Sequence, residues 1–175
     1  MRSILFVITL VILSVGALKA EVISVRDNIK ELNSLNPEQL EVLEMVYDSS
    51  QLFDLGYTAV GIIWQESKFG KWKINLADPS CGYFHKLLPE YARELGLKPT
   101  RWNNSRVCEL LLDFDTSLDV FISTMRTKEQ ICRVRGSSNV WRCSIKGYNG
   151  SGKRAEEYML NVINKIKAFK KWRYQ

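Results

Sequence analysis

Apolar residues that recur every three to four positions, bracketed by start and stop signals, commit this chain to a set of packed helices. Asn36-Pro37-Glu38-Gln39 is a start signal: asparagine at the N-cap, proline at the first helical position, and glutamine where it can reach back to the cap. Leu40, Leu43, Val46 and Tyr47 follow on one face. A second helix is predicted from about Tyr57 to Ser67, with Ala59, Ile62 and Ile63 as its stripe and Gly70 just past its end. Pro89 opens a short helix that stops at Gly96, and Ser105 is the expected cap of another. Thr116 opens a longer one with Leu118, Phe121, Ile122 and Met125 on a shared face. A loop over 134–139 precedes a helix near Val140 to Lys146. The last helix begins near Lys153 and turns Tyr158, Met159, Val162, Ile163 and Ile166 inward. Strand alternation is not sustained in any segment; only the turn-rich stretch 70–88 has room for one short hairpin. The expected fold class is therefore all-α.

The chain's 175 residues, 46% of them hydrophobic and 25% charged, suffice for one core without metals or repeats. No low-complexity tract or Gly/Ser linker divides it. The N-terminus reads differently. Arg2 precedes a 15-residue apolar run, Ile4–Leu18, which Lys19 closes, and Ala17 and Ala20 suit a signal peptidase. That is the pattern of an export signal, and the run is short for a membrane span, which needs about 20 apolar residues. Residues 1–20 are accordingly read as a signal peptide, with an uncleaved inner-membrane anchor at residues 4–18 as the alternative, and residues 21–175 as the folded domain. The protein is expected in the periplasm or secreted.

Export changes the meaning of the four cysteines. Cys81, Cys108, Cys132 and Cys143 contain no CxxC, and His85 is the only histidine, so the set does not look like a zinc site. In an oxidising compartment an even set tends to pair. The Gly136-Ser137-Ser138-Asn139 turn can fold Cys132 back onto Cys143, which leaves Cys81 for Cys108. Free buried thiols are the alternative. Loss of Arg2 and Lys19 with the signal leaves 23 basic and 19 acidic residues, a formal charge of +4 against +6 for the whole chain. The excess gathers at Lys165, Lys167, Lys170, Lys171 and Arg173, which suit either an anionic partner or a solvated helix face.

Glu66 is the candidate for chemistry. It ends the apolar helix Gly61-Ile62-Ile63-Trp64-Gln65-Glu66-Ser67. A carboxyl group with apolar neighbours tends to hold its proton, as a general acid must. A glutamate beside Lys68 is equally a common exposed helix residue, and the pattern around it is what separates the two readings. Glu66-Ser67-Lys68-Phe69, then Gly82-Tyr83-Phe84-His85, then Gly147-Tyr148-Asn149-Gly150 followed by Tyr158 and Val162 form three blocks in a fixed order. Together they resemble the lytic transglycosylase family, the soluble type with a goose-lysozyme-like core, over residues from about 40 to 172. The blocks are similar to that family's ES-x-F, Gly-Leu-Met-Gln and Ala-Tyr-Asn-x-Gly motifs. His85 stands where the family has glutamine, and Phe84 where it has methionine. Ser80 takes the place of a loop serine, in a loop about one residue longer.

The resemblance implies a lysozyme-like helical domain in which Glu66 is catalytic and Ser67, Ser80, Phe84, His85, Tyr148 and Asn149 bind substrate. Asn149 also suits a cap for the last helix. Trp64, Trp72, Trp102, Trp141 and Trp172 are open between core and sugar platform. The implied reaction cleaves the MurNAc–GlcNAc β-1,4 bond of peptidoglycan and leaves a 1,6-anhydromuramic end. It calls for no cofactor and no metal, with glycan strands as the partner, no nucleic acid, and a monomeric chain. Two alternatives stand beside it. A lysozyme-type hydrolase needs a second carboxylate, for which Asp78 is the nearby candidate. A non-catalytic glycan-binding module would need only the fold. The mature protein is expected to begin near Glu21 and to contain no free thiol. Intact mass and thiol titration under denaturing conditions check this, and two or more titratable thiols in exported material would refute the paired framework.

Overall fold

The computed structural model describes residues 22–75 and 77–175. The signal or anchor reading of residues 1–20 lies outside them. The described residues form eight helices and one small sheet: α1 Val25–Leu32, α2 Pro37–Gln51, α3 Gly56–Ser67, β1 Ile74–Asn75, β2 Ser80–Cys81, β3 Lys86–Leu87, α4 Leu88–Glu94, α5 Arg101–Leu111, α6 Phe114–Val134, α7 Val140–Tyr148 and α8 Gly152–Arg173. The fold is mainly α. The 70–88 stretch holds a three-stranded antiparallel sheet in the order β1-β2-β3, one strand more than a hairpin. Ile74 pairs with Cys81 and Asn75 with Ser80; Ser80 pairs in turn with Leu87 and Cys81 with Lys86.

α3 is the axis of the molecule. Ala59, Val60, Ile62, Ile63 and Trp64 are all fully buried, so the helix is covered on every side. α2 and α8 pack directly on it. Gly61 permits the approach of α8, because a Cβ there would stand 2.7 Å from Ile166 Cγ1. Around α3 a single core gathers Leu43, Val46, Phe84, Phe121, Met125, Ile145, Met159, Val162 and Phe169. Burial of each such side chain is worth about 1.5–3 kcal/mol. A second, smaller core of Cys81, Ala92, Val107 and Leu111 lies under α4 and α5. The Cys81–Cys108 disulfide ties β2 to α5 through this cluster, and Cys132–Cys143 ties α6 to α7. Both are the pairings expected from the turn between Cys132 and Cys143, and they indicate folding in an oxidising compartment.

Several sequence expectations change. α1 has no counterpart in the pattern reading, because only a few of its residues are strongly apolar and a buried position falls to Asn28. Ser24 caps it, and it is held to α8 by Ile23 N–H donating to Asn161 Oδ1 at 2.9 Å. α5 is capped by Thr100, whose hydroxyl accepts from Asn103 N, so it starts well before Ser105. α6 starts two residues before Thr116; Asp113 is its cap, and Thr116 supplies the N–H that the cap accepts. Lys165 does not belong to an exposed basic run. It is 1% exposed with its ammonium 5.4 Å from the Trp64 ring, and burial lowers its pKa to about 8. Lys170 and Arg173 lie over the rings of Tyr57 and Tyr47, so part of the basic end is engaged within the molecule.

Gly82 joins the two cores. Its φ of +90° is unfavourable for any side chain, and a Cβ would lie 2.7 Å from the Leu111 carbonyl oxygen. Gly82→Ala is expected to cost about 2–3 kcal/mol, a fall in Tm of about 5–10 °C for a domain of this size. Thermal unfolding followed by circular dichroism checks it; an unchanged Tm would mean that the α5 backbone yields freely.

Candidate active site

Glu66 occupies the last turn of α3, where the buried helix reaches the surface. Its side chain keeps 16% exposure. The helix stops because Lys68, Phe69 and Gly70 all take left-handed backbone angles. Ser67 stitches this turn: its hydroxyl donates to the Ile63 carbonyl and accepts from Gly70 N–H. Each oxygen of Glu66 faces one group. Tyr158 on α8 donates its hydroxyl to Oε1 at 2.6 Å, and His85 Nδ1 stands 3.4 Å from Oε2. His85 Nε2 lies 2.6 Å from the Trp72 carbonyl oxygen. A carbonyl can only accept, so Nε2 carries a hydrogen.

Two neutral phenols flank the carboxylate. Burial pushes the Tyr158 hydroxyl well above the ordinary tyrosine range, and the charge of Glu66 adds to this. Tyr148 is raised by the same causes in the same order, and it donates to the Phe84 carbonyl at 2.7 Å. For His85, burial works against the imidazolium, but the Glu66 carboxylate, the Trp72 carbonyl and Asp78 outweigh it and raise the imidazole's proton affinity.

Glu66 opens onto a cavity of about 420 Å³. The sheet and its turns form one wall through Asn75, Asp78, Ser80 and His85; α6 contributes Thr124 and Lys128; the end of α7 contributes Tyr148, Asn149 and Gly150. Glu66 and His85 also line a second recess with Gln65, Trp72, Ile74 and Ala77. A third recess of about 610 Å³ shares Lys86, Glu90, Thr124 and Lys128 with the first and extends it between α4 and α6. The carboxylate therefore stands between two adjoining recesses, with His85 beside it in both.

The expected site residues divide. Glu66, Ser80, His85, Tyr148 and Asn149 come together around the cavity. Ser67 and Phe84 do not. Ser67 is fully buried with its hydroxyl committed to the helix end, and Phe84 is a core ring stacked on Phe121 at 4.3 Å. Asn149 ends α7 as its C-cap; Ser151 is the N-cap residue of the last helix. Among the tryptophans, Trp72 is 60% exposed beside the outer recess, while Trp64 is core. Tyr158 was legible as an inward-facing residue and as part of the third block, but not as the donor to Glu66. Its one signal was a hydroxyl on an otherwise aliphatic stripe. Glu90, Thr124 and Lys128 carried no motif at all.

No family model, curated protein or solved structure matches the chain. Among the described residues no group of three or more His, Cys, Asp or Glu side chains could hold a metal. Tyr158→Phe keeps the ring in the core and removes the donor to Glu66 Oε1. A hydrogen bond to a charged, partly exposed group is worth about 1–2 kcal/mol, so urea unfolding should show a loss of that size with an unchanged m-value. No loss would mean that the phenol is not bonded to the carboxylate.

Proposed function

We propose that the protein is an exported peptidoglycan lytic transglycosylase with a lysozyme-like fold, cleaving the MurNAc–GlcNAc β-1,4 bond with Glu66 as its acid. The observation that carries this reading is the position of Glu66. It is a largely sheltered carboxylate at the end of a buried helix, held by Tyr158, and it lines two adjoining recesses. Exposed Trp72 offers an apolar face for a sugar on one side, Ser80 and Asn149 offer hydrogen bonds on the other, and Asn75 lines both recesses. The two disulfides suit the periplasm or the exterior, where the wall is found.

The chemistry follows from proton bookkeeping on one carboxyl group. Glu66 in its acid form protonates the glycosidic oxygen as the C1–O bond breaks. The resulting carboxylate then removes the proton of the muramic 6-hydroxyl as that oxygen closes onto C1. The attacking group is tethered to the same sugar, so its attack gains from proximity. A carboxylate also holds sugar hydroxyls in a non-catalytic glycan-binding module, which would bind murein without clearing it.

Hydrolysis is the second reading, favoured by one observation: Asp78 and Glu90 line the same cavity as Glu66. Glu90 lies 3.8 Å from the Lys86 ammonium, which makes Asp78 the better candidate base for a water molecule. Glu66→Gln is expected to lower the clearing of purified murein by at least about 10²-fold, with the helical signal and Tm nearly unchanged. Products are expected to carry 1,6-anhydromuramic ends, lighter by one water than hydrolysed ends in mass spectrometry. Reducing ends would transfer the reading to the hydrolase, and activity of the glutamine variant within a few-fold of wild type would remove Glu66 from the chemistry.

A further inference from the structure

His85 is the chain's only histidine, and its backbone is held in a disfavoured region, at φ +48°. Non-glycine residues in such conformations persist where the surroundings over-determine them. Here Nε2 is hydrogen-bonded and Nδ1 stands 3.4 Å from a carboxylate oxygen. The Trp72 carbonyl keeps a hydrogen on Nε2 in every protonation state. Nδ1 is therefore the atom that gains and loses a proton, and it faces Glu66 Oε2 at 3.4 Å. With no proton between them, a nitrogen lone pair would oppose a carboxylate. With two, two hydrogens would crowd the gap. Only one proton makes the contact attractive.

We propose that His85 Nδ1 and Glu66 Oε2 share a single proton, so that the imidazolium is the resting store of the proton that Glu66 delivers. The shared proton is inferred from the 3.4 Å approach of Nδ1 to Oε2; its delivery to a glycosidic oxygen rests on the function proposed above. His85 is a positioning residue in this scheme, since it acts through Glu66. The sequence of transfers balances. At rest Nδ1 carries the proton and Glu66 is a carboxylate. Transfer from Nδ1 to Oε2 leaves a neutral imidazole and a carboxylic acid. The acid gives its proton to the leaving oxygen, which keeps the electron pair of the broken C1–O bond. The carboxylate then takes the proton of the attacking hydroxyl and returns it to Nδ1. A glutamine in the place of His85, as in the family this chain resembles, can hydrogen-bond but cannot store a proton.

The surroundings agree. Tyr158 from α8 occupies Oε1 as a neutral donor and leaves Oε2 to the imidazole. Tyr148 from α7 donates to the Phe84 carbonyl and lines the same cavity. Asp78, on the turn between β1 and β2, adds a negative charge that favours the imidazolium. Of the cations on the cavity wall, Lys86 of β3 is engaged by Glu94 at 2.8 Å and Glu90 at 3.8 Å, and Lys128 stands across on α6.

A lone histidine makes the test direct, because its ring resonances need no assignment. In the free wild-type protein, an NMR pH titration is expected to place the imidazole midpoint above the ordinary value of about 6.5. Its neutral form should be the Nε2–H tautomer, and Glu66→Gln should lower the midpoint by about one unit or more. Equal midpoints, or an Nδ1–H tautomer, would overturn the proposal. A second arm uses His85→Asn, which tolerates left-handed backbone and puts an amide nitrogen near the place of Nδ1. The alkaline limb of murein cleavage is expected to move about one unit or more to lower pH in this variant. An equal loss at every pH, with the limb in place, would reduce His85 to a structural role and overturn the storage scheme. If wild-type protein cleaves no murein at any pH, the proposed function fails, while the titration of the free protein still decides the shared proton.

Discussion

The close packing of α8 on α3 is the contact from which the site follows. Gly61 removes the side chain that would hold the helices apart, and Val162 and Ile166 fill the space. One turn further along α8, Tyr158 then meets Glu66 Oε1. A carboxylate at the end of a helix buried on all sides would otherwise be a liability, because burial of a charge is costly unless it is paired or hydrogen-bonded. The glycine on α3 sets the approach of α8, and the hydroxyl on α8 uses that approach to reach Glu66.

The opposite oxygen depends on a different part of the molecule. His85 reaches Glu66 only because the chain turns sharply at Gly82 and because β2 is fixed to α5 by the Cys81–Cys108 bond. The sheet's strands are only two residues long, and its buried middle strand is tied down by the disulfide and the second core. The large core positions Glu66, and the smaller one anchors the strand that leads to His85.

Legibility in the sequence followed the same division. Helices with apolar stripes and strong caps, such as α2 and α3, were readable because their signals are local. α1 was missed because its inward face includes Asn28 and its hold on α8 is made by polar groups far away in the chain. Glu66 stood out through its block. Ser67 shared that block and has a different purpose, since motif proximity does not say which way a side chain points. Phe84 was expected in the groove and lies in the core, stacked on Phe121, for the same reason. The partnership of Glu66 with Tyr158 spans 92 positions and that of His85 with Trp72 spans 13. Contacts of that kind arise from packing, and no periodicity announces them.

The joining of Ile23 to Asn161 and of Glu66 to Tyr158 also bears on the order of assembly during synthesis. A chain emerging amino end first exposes α3, with its run of apolar residues, long before α8 exists to cover it. Domains of this type cannot close their core until the last turns of α8 are free. Until then Ile62, Ile63 and Trp64 are exposed to any other apolar surface nearby, the condition under which chains aggregate or engage a chaperone. Both the completed core and the Glu66–Tyr158 contact need α8, and a chain that still lacks this helix has neither.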